Sequence, residues 1–182
     1  MFASSESRVR EGTRLVETGP EPQNEAVVLA LGNPLRGDDG VGAAVLSALE
    51  SRPGIVATTF VDGGTPGLET VLVLQGYRRA IILDAADMGK EPGTWRRFTP
   101  DEVGRPPRTL AQSVHEAGLA EALSLGAALG TLPESIVIYG IQPGTIGWQP
   151  GLTRRVEAAI PAVVDAVIDD LCGALRLNDE DG

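Results

Sequence analysis

The sequence predicts an α/β fold, a three-layer α/β/α sandwich in which helices cover both faces of a mostly parallel, twisted sheet of about five strands. Two observations lead to this fold class. Short apolar runs alternate along the chain with longer segments whose apolar residues recur at helical spacing. The chain has 182 residues and 42% hydrophobic content, which suits one globular domain.

The elements follow one another in a regular alternation. Predicted strands are 26–31 (AVVLAL), 55–61, 80–83 (AIIL), a short edge strand 94–98, and 136–141 (IVIYGI). Predicted helices start near Val41 and cover 66–75, 116–129 and 153–175. The first helix should end at Arg52-Pro53-Gly54, and the last should bend at Pro161.

The chain divides into three parts by composition. Residues 1–24 are polar and without period, which predicts a disordered N-terminal arm. Residues 25–177 form the predicted single α/β domain, and residues 178–182 a short acidic tail.

Charge and cysteine usage exclude several classes of function. The 25 acidic and 15 basic side chains give a formal net charge of −10, which disfavours binding to nucleic acid or to anionic lipid. No apolar run approaches the ~20 residues needed to cross a bilayer, so no membrane insertion is expected. The single cysteine, Cys172, cannot form an internal disulfide, and no secretion signal is recognisable. These features predict a cytoplasmic protein.

Acidic side chains follow three of the predicted strands. Asp38 and Asp39 come after the first strand in GNPLRGDDG, Asp62 ends the second in VDGGT, and Asp84 ends the third in LDAAD. Ligands of open α/β sheets bind beyond the carboxyl ends of the strands, especially where strand order reverses. If the first and third strands are neighbours, Asp39 and Asp84 flank that point.

His115 is the only histidine of the chain. Ser113 and Glu116 have the S-x-x-E spacing of a capping box, which places His115 in the first turn of the next helix. The N–H groups exposed there disfavour imidazolium, and a neutral imidazole is the form that binds metals. Two carboxylates beside it would match a divalent cation in an oxygen and nitrogen site with open positions.

Each of these residues also has a structural interpretation. One of Asp38 and Asp39 can be the N-cap of the following helix, and Asp62 can shape an Asx-turn. Asp84 follows four apolar residues and needs a partner or an exposed crevice. A lone histidine such as His115 is most often a surface or core residue. The spacing alone leaves these alternatives open.

Other chemistries match the sequence poorly. The glycines of GNPLRGDDGVG lack the G-x-G-x-x-G spacing, and no G-x-x-x-x-G-K-[ST] loop occurs, so a nucleotide-binding α/β domain is a weak alternative. The chain has no C-x-x-C, H-E-x-x-H or G-x-S-x-G pattern.

Taken together, the motifs resemble the maturation endopeptidases of nickel-iron hydrogenases. The resemblance runs from about Val27 to Leu171 and rests on the order and spacing of LALGNPLRGDDGVG, VDGGTPGLE, ILDAADMGKEPGTWRRF, SVHEAGLAEAL and YGIQPGTIGWQPGLT. It implies an endopeptidase that removes the C-terminal extension of a nickel-loaded hydrogenase large-subunit precursor.

The resemblance also implies roles for single residues. Asp39, Asp84 and His115 match the catalytic, metal-contacting group of the family. The metal would be nickel supplied by the precursor, although the same three ligands could also bind other divalent cations. Asp38 is then the better candidate for capping the helix near Val41, and Asp62 a supporting residue. Metal-polarised water and a carboxylate base are both compatible with the reaction. The alternative function is a non-catalytic nickel-binding assembly factor that uses the same three ligands.

Overall fold

The computed structural model describes residues 25–65, 67–103 and 114–178, except for the side chains of 114–117 and 173–178. Within these ranges the strands are β1 (Ala26–Ala30), β2 (Thr58–Asp62), β3 (Arg79–Ala85), β4 (Trp95–Phe98) and β5 (Ser135–Ile141). The helices are α1 (Val41–Glu50), α2 (Glu69–Leu74), α3 (Val114–Leu129) and α4 (Arg154–Asn178). The predicted arm 1–24 and residues 179–182 of the predicted tail lie outside the described residues.

The five strands form one sheet in the order β2-β1-β3-β5-β4. All neighbouring pairs are parallel except β4 with β5, which is antiparallel. The mostly parallel sheet predicted from the sequence is therefore confirmed. The first and third strands are neighbours. The strand order therefore reverses between β1 and β3, as it does in flavodoxin-like sheets.

Two apolar layers sandwich this sheet. Alternate residues of β1, β3 and β5 pack on one face against the buried side chains of α1 and α4, including Val45, Leu49 and Val163. The other alternate residues pack on α2 and α3, where Leu74 and Leu119 are buried. All five residues of β1 are buried because helices cover both faces. The predicted three-layer sandwich is confirmed.

Some element boundaries differ from those predicted. β2 begins at Thr58 rather than at residue 55, because Ala57 adopts a positive φ of 51° that interrupts the extended run. α2 begins at Glu69, three residues later than predicted. α4 continues to Asn178 and runs without interruption through the exposed Pro161, whose predicted bend stays a prediction.

A buried tyrosine joins the sheet to α4. The hydroxyl of Tyr139 in β5 donates to the carbonyl of Ala166 at 3.0 Å and to the carboxylate of Asp170 at 2.7 Å. Arg97 of β4 pairs with the same carboxylate at 2.9 Å. Burial, together with the bond to Asp170, raises the pKa of Tyr139 above its ordinary value, so the hydroxyl keeps its proton and remains a donor.

In the described part of the chain, no helix combines the length and the apolar character that a membrane span requires.

Candidate active site

The carboxyl ends of β1 and β3 meet at the point where strand order reverses. Their pairing continues past β1, since the N–H of Leu31 donates to the carbonyl of Leu83 at 2.8 Å. The segment 32–40 leaves this edge and leads into α1. The residues that follow β1 and those that end β3 therefore share one edge of the sheet.

Two glycines allow this segment to fold tightly over the strand ends. Gly32 has a φ of 112°, and a side chain there would overlap the carbonyl oxygen of Asp39. At Gly42, in the first turn of α1, a methyl group would lie 2.5 Å from the carbonyl oxygen of Leu31 and 2.6 Å from that of Leu83. Only glycine fits such close backbone approaches. The helix start is thus pressed directly onto β1 and β3.

Asp39 and Asp84, the two acidic residues predicted as ligands, are both buried at this edge. Asp39 lies in a short 3₁₀ helix, Asp38–Gly40, that contacts β3, and it is 2% exposed. Its Oδ2 accepts the backbone N–H of Asn33 at 3.0 Å. Asp84 is the next-to-last residue of β3, pairs with Gly140 of β5, and is 4% exposed. The fold brings both predicted ligands to the same place.

The structure describes the backbone position of His115 but not its side chain. It is the second residue of α3, inside the first turn as predicted, while its side chain and Ser113 of the predicted capping box lie outside the described residues. The short connection 130–134 between α3 and β5 makes α3 antiparallel to the strand, so its first turn points to the carboxyl edge of the sheet. The side chains that are described contain no group of three histidine, cysteine or acidic residues that could hold a metal ion.

Asp38 does not cap α1, and the predicted capping role is wrong. The residue before α1 is Gly40, and no side chain bonds to the helix start there. The Asp38 carboxylate instead accepts N–H bonds from Gly144 at 2.8 Å, Thr145 at 3.0 Å and Thr153 at 2.6 Å. The hydroxyl of Thr153 adds a fourth bond at 2.8 Å.

Through these four hydrogen bonds, Asp38 connects two loops that are remote in sequence. The residue is fully buried, and it joins the segment that carries Asp39 to the segment before α4. Burial acts to raise the pKa of Asp38, but the hydrogen bonds from Thr153, Thr145 and Gly144 outweigh it and hold the pKa below 3.8. The carboxylate is therefore charged at neutral pH; its predicted supporting role in the site stays a prediction.

Asp62 forms the predicted Asx-turn. Its Oδ1 accepts the N–H of Gly64 at 3.1 Å, and the side chain is exposed. The carbonyl of Gly64 in turn accepts the N–H of Gly32 at 2.8 Å. Asp62 thus shapes the loop that borders the start of the 32–40 segment, while its carboxylate lies at the end of β2, on the other side of β1 from Asp84.

Gln142 was not singled out from the sequence. It is 6% exposed, follows β5 directly, and its Oε1 accepts the N–H groups of Met88 at 2.7 Å and Lys90 at 3.1 Å. Its Nε2 donates to Asp87 at 3.1 Å. Gln142 therefore fixes the loop that follows Asp84. The signal that could have revealed it is the one used for Asp84, a polar residue directly after a buried apolar run.

A doubly wound sheet with two buried carboxylates at its switch point is typical of an α/β enzyme whose ligand enters at the strand ends. Comparison with known proteins specifies the class. The profile of the hydrogenase maturation protease family matches residues 44–170. The structure resembles the hydrogenase maturating endopeptidase HybD from Escherichia coli with a TM-score of 0.73 and 29% identity, covering 82% of this chain and 93% of that one.

Relatives found by sequence agree with this match. The chain is 34% identical over 152 residues to the hydrogenase expression/formation protein HupD of Rhizobium leguminosarum bv. viciae, which covers 82% of this chain and 75% of that protein. It is 32% identical over 148 residues to the hydrogenase 2 maturation protease of Escherichia coli K12, covering 78% and 87%. The chain therefore belongs to the hydrogenase maturation protease family, whose members are peptidases.

Proposed function

We propose that this protein is an endopeptidase that removes the C-terminal extension of a nickel-iron hydrogenase large-subunit precursor, and that it recognises the nickel already bound there. Asp39, Asp84 and His115 are the ligands that contact this nickel. The partner is the precursor, and the cytoplasm is the compartment of the reaction. The observation that carries the proposal is the burial of two carboxylates at adjoining strand ends.

The charge of this edge supports a cation as part of the substrate. Asp39 and Asp84 are both acidic, and both are buried at this edge. A divalent cation beside them would be attracted to both carboxylates. Nickel accepts such oxygen ligands together with an imidazole nitrogen. The pair therefore favours a substrate that brings a positive charge.

The number of ligands supports a metal that arrives with the substrate. Two carboxylates and one histidine leave open positions, whereas closed structural sites use four protein ligands. In the proposed complex the precursor keeps its own ligands on the nickel, and Asp39, Asp84 and His115 complete the coordination. This arrangement positions the peptide bond to be cleaved only when nickel is present.

Substitution of one buried carboxylate tests the catalytic role. Wild-type protein mixed with nickel-loaded precursor should shorten it, as seen by intact-protein mass spectrometry, and Asp84→Asn should not. Asp62→Asn is the matched control, because an asparagine keeps the Asx-turn with Gly64. Stable binding of the loaded precursor without any cleavage by the wild-type protein would instead identify a nickel-binding assembly factor.

A further inference from the structure

Three large apolar side chains are exposed on the two loops that border the candidate active site. Leu35 is 60% exposed, Ile146 40% and Trp148 82%. We infer that Leu35, Arg36, Ile146 and Trp148, here called the apolar rim, form the docking surface for the polypeptide of the precursor beside its cleavage site. This inference rests on the proposed function and adds the surface that holds the protein part of the substrate.

Backbone pairing brings the members of the apolar rim together. Gly37 and Ile146 form an antiparallel bridge, and the N–H of Gly147 donates to the carbonyl of Arg36 at 3.3 Å. The guanidinium of Arg36 lies over the ring of Trp148, 5.8 Å from its centroid. The four side chains therefore belong to one continuous surface and are not isolated exposed residues, which would need no explanation.

Hydrogen bonds hold the backbone of the loop that carries Ile146 and Trp148 of the apolar rim. Asp38 accepts N–H bonds from Gly144 and Thr145, which precede Ile146, and its own N–H donates to the carbonyl of Thr145 at 3.0 Å. A surface that is already ordered loses little conformational freedom on binding, so its apolar area contributes more fully to affinity. Trp148 is also the residue type most often found at the centre of binding hot spots.

The apolar rim is continuous with the site itself. Leu35 and Arg36 lie in the same segment as Asp39, and this segment is closed onto β1 and β3. Under the proposed function, a polypeptide whose nickel contacts Asp39 has these side chains beside it. Other exposed apolar side chains, Leu72 of α2 and Leu125 and Leu129 of α3, show no such link to the site within the described residues.

Arg36 indicates the chemistry of the occupant. In the described part of the chain its guanidinium makes no ion pair and donates no hydrogen bond, and its Nε is buried. The guanidinium keeps its positive charge and its terminal N–H donors, which are complemented by an oxygen acceptor from the partner, either a backbone carbonyl or a carboxylate. The occupant is thus an extended segment of the precursor with an apolar side chain against Trp148 and an oxygen atom at Arg36.

Cleavage kinetics with nickel-loaded precursor test the docking surface. Trp148→Ala should raise KM about tenfold with kcat within about twofold of wild type, the loss typical of a hot-spot residue. Trp148→Phe should recover most of the affinity. Leu35→Ala should raise KM severalfold, whereas Leu129→Ala should leave it unchanged. Leu129, at the end of α3, is the matched control because its exposure of 61% is close to the 60% of Leu35.

Binding to nickel-free precursor separates this inference from the proposed function. Its Kd, measured by surface plasmon resonance, should weaken about tenfold for Trp148→Ala even if the wild-type protein cleaves nothing. An unchanged Kd and KM in both Trp148→Ala and Leu35→Ala would overturn the docking surface. A shift of Trp148→Ala from dimer to monomer in analytical ultracentrifugation, with KM unchanged, would equally overturn it and assign the surface to a second copy of the chain.

Discussion

Replacement of Asp38 by asparagine should destabilise the protein strongly, whereas the capping role predicted from the sequence would make the same change mild, since asparagine is a good N-cap. An asparagine has one acceptor oxygen, and Asp38 receives four hydrogen bonds on two oxygens. If the amide oxygen takes the Oδ2 position, it keeps three donors, and the NH₂ group then faces the N–H of Thr153 at 2.6 Å. The flipped amide is worse, because its NH₂ group would face the N–H groups of both Gly144 and Thr145.

The magnitude follows from these contacts. A hydrogen bond to a charged group contributes about 1.5–3 kcal/mol, roughly twice a neutral one. Losing the bond from Thr153 and weakening three others, less the gain from no longer burying a charge, should lower the free energy of unfolding by about 3–4 kcal/mol. For a chain of this length that is a fall in Tm of about 6–16 °C. Cleavage should also fall, because Asp38 holds the segment of Asp39.

Calorimetry of wild type, Asp38→Asn and the control Asp62→Asn measures this effect. The pKa of Asp38 is lowered from 3.8 in the folded protein, so the stabilisation by its charge is complete above pH 3.8 and is lost as the pH falls further through the folded value. The difference in Tm between wild type and Asp38→Asn should therefore be largest near pH 7 and shrink below pH 3.8. A Tm of Asp38→Asn within 2 °C of wild type at pH 7 would refute the reasoning.

Three further variants probe the site and its scaffold. Asp84→Asn replaces one of the buried carboxylates of this edge by a neutral side chain of the same size, so it should abolish processing while Tm stays within about 4 °C of wild type; a collapse in Tm would make Asp84 structural. Gly42→Ala should cost about 3 kcal/mol or more, because its methyl group meets two backbone carbonyls; urea unfolding with an unchanged midpoint would contradict the close packing. Tyr139→Phe should lower stability by about 1–3 kcal/mol and leave cleavage unchanged, and reduced kcat would show that Tyr139 also serves the site.

The sheet could be predicted because the sequence signals of its strands and turns lie within each short segment. Apolar runs such as 80–83 are buried on both faces, and glycine and proline mark the turns between elements. Asp84 was recognisable for the same reason, since a carboxylate directly after such a run needs a special environment. The boundary of β2 was missed because the positive φ of Ala57 is not encoded by its residue type.

The role of Asp38 could not be predicted because its partners are remote in sequence. Thr153 and Gly144 are 115 and 106 residues away, and only the completed fold brings their N–H groups to the carboxylate. The local pattern, an aspartate shortly before a helix, favoured a cap. Long-range hydrogen bonds of this kind leave no mark in spacing or periodicity, and the same holds for the contact of Gln142 with Met88.

The dependence of cleavage on nickel tests the central proposal most directly. Purified protein is incubated with nickel-loaded precursor and with the same precursor prepared without nickel, and the products are measured by mass spectrometry. Since Asp39, Asp84 and His115 are proposed to contact the nickel of the substrate, only the loaded precursor should lose its C-terminal extension. Cleavage of both forms at the same rate would contradict the proposal that nickel is recognised.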